Sequence, residues 1–276
     1  MRRAVAVLAL VVGAAACSSS SHKSAPATTI PTTTTLPPRL TAKVVGETVV
    51  SPAFRQGLAR DGDGWVFSLN TALFRTDNAF NITKRLDVAI PARDSKQGFN
   101  HIGDIDVEGG ILYAPLEQPN YALDRQAMLT YDPTTLKFLG GVYVKQHHNS
   151  FITVDPATHI AYSQLDYGGK SLLRYDIAHG WKPLPPLPMS RYVDKVQGAD
   201  LRDGALWLST DDKTDGVWWV DPQSGRVQYL GSVGRVAGEG EGIDATVTPS
   251  GDLHVLDVDP AFNPVRVIDM RVTAAG

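Results

Sequence analysis

The feature that most constrains the fold is a sequence unit that occurs five times at a spacing of roughly 40 to 50 residues, the range of repeat architectures. The copies begin QGLARDGDGWVFS at Gln56, IGDIDVEGGILYA at Ile102, NSFITVDPATHIAYS at Asn149, QGADLRDGALWLS at Gln197 and EGIDATVTPSGDLHVL at Glu241. Each holds a Gly or Ser, a short apolar-alternating run, a polar turn with Asp, Gly or Pro, and a second run rich in β-branched or aromatic residues. That is the pattern of a β-hairpin. A third strand follows in every copy: ALFRTD, AMLTYDPTTLKF, SLLRYDIAHGW, GVWWVDPQSGRV and VRVIDMRV. The phrases YDPTTLKFLG and VDPQSGRVQYLG add an Asp-Pro turn between strands three and four.

Four strands per copy, with no helical periodicity to compete, predict radial blades: an all-β, five-bladed β-propeller of four-stranded antiparallel sheets. The fifth copy stops after its third strand, and an orphan strand, TAKVVGETVV, precedes the first. Pairing that N-terminal strand with the last blade closes the ring and removes exposed sheet edges. The propeller domain is accordingly expected over residues 41–276.

Residues 1–17 read as a lipoprotein signal peptide. MRR is a positive start, and the apolar or glycine run from Ala4 to Ala16 is shorter than the about 20 residues of a membrane span. The AAAC that ends it resembles the lipobox of bacterial lipoproteins, which implies lipid attachment at Cys17 and anchoring to the outer face of a bacterial membrane. Cys17 is the chain's single cysteine, so no internal disulfide competes for it. Residues 18–40, dominated by Ser, Thr, Ala and Pro, predict a disordered tether. A net charge of -3 without a run of like charge points away from nucleic acid as a partner.

Aligned on their hairpins, Gln56, Ile102, Asn149, Gln197 and Glu241 share one position at the start of the innermost strand and are expected to ring one mouth of a central channel. Next come Gly57, Gly103, Ser150, Gly198 and Gly242, small residues where backbones crowd together. His101 and His148 stand just before the ring; Asp104, Asp200 and Asp244 lie just inside it. The oxygens of Gln56, Asn149, Gln197 and Glu241 suit Ca2+ in the channel, while a wet channel satisfied by its own hydrogen bonds explains the same residues. Zinc at His101 and His148 lacks a close-spaced ligand motif, and the adjacent His147 and His148 are expected on opposite faces of a strand. Glu241 with His101 or His148 offers acid–base chemistry from different blades, yet no nucleophile elbow, P-loop or H-E-x-x-H accompanies them. STDDKTDGVWWVD, from Ser209, reads as a solvated connection into a strand in which one of Trp218 and Trp219 packs between blades. PLPPLPM, from Pro183, reads as an inter-blade loop.

The blade grammar of EGIDATVTPSGDLHVLD and QGADLRDGALWLSTDD resembles secreted β-propellers: phytase-like esterase propellers, calcium-activated nucleotidases and olfactomedin domains. That resemblance implies five blades and, in the last two groups, calcium in the channel, with the glutamate of an E-G-hydrophobic blade start at the ion. Only Glu241-Gly242-Ile243 carries that start here. The resulting expectation is a cell-envelope lipoprotein whose propeller is a non-catalytic binding or scaffold module for a protein or small envelope ligand. The alternative is a calcium-dependent hydrolase of phosphate or ester substrates.

Overall fold

The computed structural model describes residues 39–234, 238–246, 251–259 and 264–274, all within one compact unit spanning Pro38–Gly276. Cys17, the export signal and the tether up to residue 38 lie outside the described residues. The described strands form five antiparallel sheets. Blade 1 is β2 (Gly57–Asp61), β3 (Gly64–Leu69), β4 (Ala72–Asp77) and β5 (Ile82–Leu86). In blade 2 the innermost strand is split into β6 (His101–Ile102) and β7 (Asp106–Glu108), followed by β8 (Ile111–Glu117), β9 (Gln126–Tyr131) and β10 (Phe138–Val144). Blade 3 holds β11 (Thr153–Asp155), β12 (Ile160–Gln164), β13 (Gly168–Asp176) and β14 (Lys182–Asp194); blade 4 holds β15 (Val196–Arg202), β16 (Ala205–Thr210), β17 (Gly216–Val220) and β18 (Val227–Ser232).

Blade 5 combines β19 (Glu239–Asp244), β20 (Asp252–Val258) and β21 (Val265–Ala274) with β1 (Leu40–Val50) as its outermost strand. The β1–β21 ladder runs from Leu40 opposite Ala274 to Val50 opposite Val265, so the two ends of the chain close the ring as the orphan strand implied. The innermost strands touch in the cyclic order β2, β7, β11, β15, β19 and back to β2. Between blades the space is filled by apolar side chains. Leu201, Leu206, Val220 and Leu172 pack together from blades 3 and 4, and Val217, Trp219, Ile243 and Val255 from blades 4 and 5.

Two local readings of the sequence are corrected. PLPPLPM is no loop: it lies in β14, where Pro183 faces Tyr175 and Leu187 faces Leu172. An outermost strand leaves one edge unpaired, and prolines that lack N–H groups are tolerated there. His147 and His148 are not on a strand either, but in the connection between β10 and β11, with their ring centres 5.5 Å apart. Trp219 packs in the core between blades 4 and 5, as alternation in the strand requires, while Trp218 is half-exposed.

Candidate functional site

The small-residue ring leaves no room for side chains at its glycines. A Cβ on Gly57 would sit 2.5 Å from the Asp104 Cα, one on Gly242 would lie 2.7 Å from the Gly57 Cα, and one on Gly198 would meet an Asp104 carboxylate oxygen at 2.7 Å. The axis is therefore filled by the side chain of Asp104, which is fully buried. Its Oδ1 accepts the Leu58 N–H of blade 1 at 3.2 Å; Oδ2 accepts the Ala199 N–H of blade 4 at 3.0 Å and the Ile243 N–H of blade 5 at 3.4 Å. Its own N–H donates to Ser150 of blade 3 at 2.7 Å. One residue of blade 2 thus ties all five blades. Burial pushes its carboxyl well above the ordinary value, and the three N–H bonds oppose that only in part.

A shifted bulge puts Asp104 there. In blades 4 and 5 the ladder slips between Val196 and Gly198 and between Gly240 and Ile243, around the ring residue itself. In blade 2 the irregularity falls later, between Ile102 and Asp106. A bulge rotates the residues that follow it. Asp106 then matches Asp200 and Asp244, and each reaches the next blade: Asp106 accepts Val154 N–H at 2.7 Å, Asp200 accepts Ala245 N–H at 2.6 Å, and Asp244 accepts Arg60 N–H at 2.7 Å. Arg202 lies 3.5 Å from both Asp106 and Asp200. Desolvation raises Asp106 and Asp200 despite that guanidinium. These aspartates hold blades together.

The opposite mouth, at the starts of the inner strands, carries the histidines. His101 on β6 faces Glu117 across the ladder, and its Nδ1 lies 3.1 Å from Glu117 Oε2. His148 Nδ1 lies 3.0 Å from Glu117 Oε1, which also accepts the Asn149 N–H at 2.8 Å. Burial alone would raise Glu117, but the hydrogen bonds from His101, His148 and Asn149 outweigh it and hold the carboxyl down at about 2. The carboxylate is ionised, so both imidazoles donate to it through Nδ1. Tyr121 packs at a tilt against His148 with ring centres 4.0 Å apart, and its phenol, desolvated and beside Glu117, is pushed up to about 12.

The expected ring residues are placed differently from one another. Gln56 Oε1 contacts His101 Nε2, and Gln197 Nε2 donates to the Tyr167 hydroxyl at 3.0 Å. Ile102 is buried among the apolar side chains of blades 1 and 2. Asn149 turns into the blade, where Oδ1 accepts from Gln146 at 2.8 Å and Nδ2 donates to the Ala127 carbonyl at 2.7 Å. Glu241 is buried. Desolvation, then Glu239 and Asp211, raise its carboxyl well above normal, with Arg55 opposing. His101 and His148 are thus brought together on Glu117, with Gln56 behind His101 and the Asn149 N–H on the same carboxylate, whereas the Asn149 side chain and Glu241 have other neighbours.

Glu117 itself was not marked by the sequence reading. Its signal was a lone charge closing the apolar run ILYAPLE, every residue of which after Ile111 is buried. The Asp-rich connection from Ser209 is also less solvated than expected. Asp215 is buried, and burial followed by Asp211, Asp257 and Asp212 pushes its carboxyl up to about 7.

On the rim, a pocket of about 660 Å³ opens between β14 and β18. Arg39, Arg191, Arg226, Trp218 and Tyr229 line it, with Asp212 as the carboxylate among its lining residues. Trp218 Nε1, Arg226 Nη1 and Gln228 Nε2 are buried atoms without a hydrogen-bond partner among the described residues. All three are donors.

No family model matches the sequence, and neither does any curated protein. Among solved structures the chain is similar to a luciferin-regenerating enzyme, with 15% identity, a TM-score of 0.51, and coverage of 84% of this chain and 80% of that one. It is also similar to the exo-β-1,3-galactanase of Phanerochaete chrysosporium solved with β-1,3-galactotriose, with 11% identity, a TM-score of 0.53 and coverage of 81% of this chain. The chain spans 64% of that galactanase. At such identities the likeness is one of propeller fold.

Proposed function

We propose that this chain is an exported, non-catalytic binding module, held at the outer face of a bacterial membrane through a lipid on Cys17, that takes a protein or small envelope ligand on the surface of its propeller. The observation that supports this reading best is the filled axis. A substrate channel needs an open path past the inner strands, and here Asp104 and the glycines around it occupy that path. A channel hydrolase also needs an acid and a base acting on the same atoms. Glu239, Asp211 and Arg55 are the charges that act most strongly on the Glu241 carboxyl, while His101 and His148 turn their Nδ1 atoms to Glu117 instead.

The rim pocket is the surface best suited to a ligand. Buried donors without acceptors each cost about 1–3 kcal/mol, and a ligand oxyanion would relieve that cost at Trp218, Arg226 and Gln228. Trp218 and Tyr229, set edge to face with ring centres 4.9 Å apart, offer an angled aromatic corner against which an aromatic or sugar ring can pack. Titrating the full chain with phenyl phosphate, followed by tryptophan fluorescence, is expected to saturate, and Arg191→Gln should weaken it severalfold. Assays with p-nitrophenyl phosphate and p-nitrophenyl acetate in calcium should show no turnover. Turnover that disappears in Glu241→Gln would replace the binding reading with the hydrolase. For the anchor, Cys17→Ala should move the protein from the membrane to the soluble fraction; unchanged fractionation would remove the lipid from the account.

A further inference from the structure

We propose that His147, His148 and Asp166 form a binding site for one divalent transition ion of the zinc class, set off the propeller axis where blades 2 and 3 meet at the histidine-bearing mouth. The three residues each present a ligand atom, all within 4.8 Å of one another, and His148 Nε2 lies 4.0 Å from Asp166 Oδ1. Zinc holds nitrogen and oxygen donors at about 2.0–2.2 Å. Donors around one ion are therefore about 3.3 Å apart, so closing the site takes a movement of under about 1 Å. Asp166 has an exposed side chain in a bend, where its Oδ1 accepts the Tyr167 N–H at 2.8 Å, and rotation of that side chain supplies the movement.

The histidines are prepared for this role. His148 turns Nδ1 to Glu117 at 3.0 Å, and His147 turns Nδ1 to Asp124 at 3.2 Å. A carboxylate on one ring nitrogen fixes the tautomer and leaves the Nε2 lone pair outward, the arrangement found behind metal-bound histidines. The backbone beneath them is pinned as well. Two buried glutamines hold successive carbonyls, Gln126 donating to His147 at 2.6 Å and Gln146 to His148 at 2.6 Å. Tyr121 covers one side of both rings, and Tyr167 lies 5.2 Å from His148.

The donor set selects the ion. Two imidazoles and one carboxylate suit zinc, cobalt, nickel or copper, whereas calcium prefers six to eight oxygens. Three protein ligands leave at least one coordination position for water or for an anionic group of a bound ligand. This inference stands apart from the rim pocket and holds whether or not that pocket is the ligand surface.

The test uses the full chain without a histidine tag, in mild detergent, stripped with a chelator and titrated with zinc against a chromophoric competitor. One equivalent is expected to bind, with a thermal melting curve that shifts upward. His147→Gln and Asp166→Asn, both on the surface, should each weaken binding at least tenfold while the metal-free melting temperature stays put. Glu117→Gln, which touches no metal, should weaken it about 10–100-fold through the orientation of His148. Absence of stoichiometric binding by the folded chain, or affinity unchanged in both His147→Gln and Asp166→Asn, would overturn the site.

Discussion

Blade 2 supplies two buried carboxylates with opposite chemistry. Asp104 at the axis and Glu117 at the mouth are both sheltered from water, and each accepts at least three hydrogen bonds. The donors make the difference. Asp104, raised first by its burial, receives only backbone N–H groups; Glu117 receives two imidazoles as well as a backbone N–H, and its carboxyl is lowered to about 2. Burial of a charge is therefore no mark of a site. An acid whose partners are main chain is mechanical, and one whose partners are side chains facing an opening is available for chemistry.

The comparison can be broken most sharply at the axis. Asp104→Ala leaves three N–H groups of different blades without an acceptor, each costing about 1–3 kcal/mol. The chain is expected to lose more than about 3 kcal/mol in denaturant unfolding, a large share of the marginal stability of a folded domain. A loss under about 0.5 kcal/mol would mean that Asp104 ties nothing. Gly242→Ala should cost about 1–3 kcal/mol by overpacking against Gly57 and Asp104. Glu117→Gln keeps its size and sits at the opening, so its loss in unfolding free energy should be smaller than that of Asp104→Ala; equal losses would erase the distinction between axis and mouth.

A smaller effect is expected from pH. Asp215 has a folded value of about 7 against an ordinary 3.8, so the folded chain holds a proton that the unfolded chain releases. Its contribution is fully present below about 4 and is lost as pH rises through about 7. Asp104, Asp200 and Glu241 act in the same direction. Melting temperature should therefore fall as the pH is raised toward and past neutrality, and Asp215→Asn should flatten that fall. The same slope in Asp215→Asn as in the parent would remove Asp215 from this account.

The architecture was readable because the five copies state the same hairpin and because the orphan strand supplies what the last blade lacks. What was not readable depended on small departures from the repeat. Asp104 aligns with Leu58 and Phe151, and only the displaced bulge in blade 2 sends it to the axis. Glu117 finds its partners across blade boundaries, at His148 and Asn149, which periodicity within one blade cannot reveal. The prolines of β14 look like a loop until their strand is seen at the unpaired edge of its sheet.

Amide hydrogen exchange tests the central claim most directly, because it reads the three N–H groups that Asp104 accepts. If one side chain holds the ring shut, the amides of Leu58, Ala199 and Ile243 should exchange only through global unfolding and rank among the slowest in the chain. Exchange of these three as fast as that of the amides in the mouth connection between β10 and β11 would contradict it.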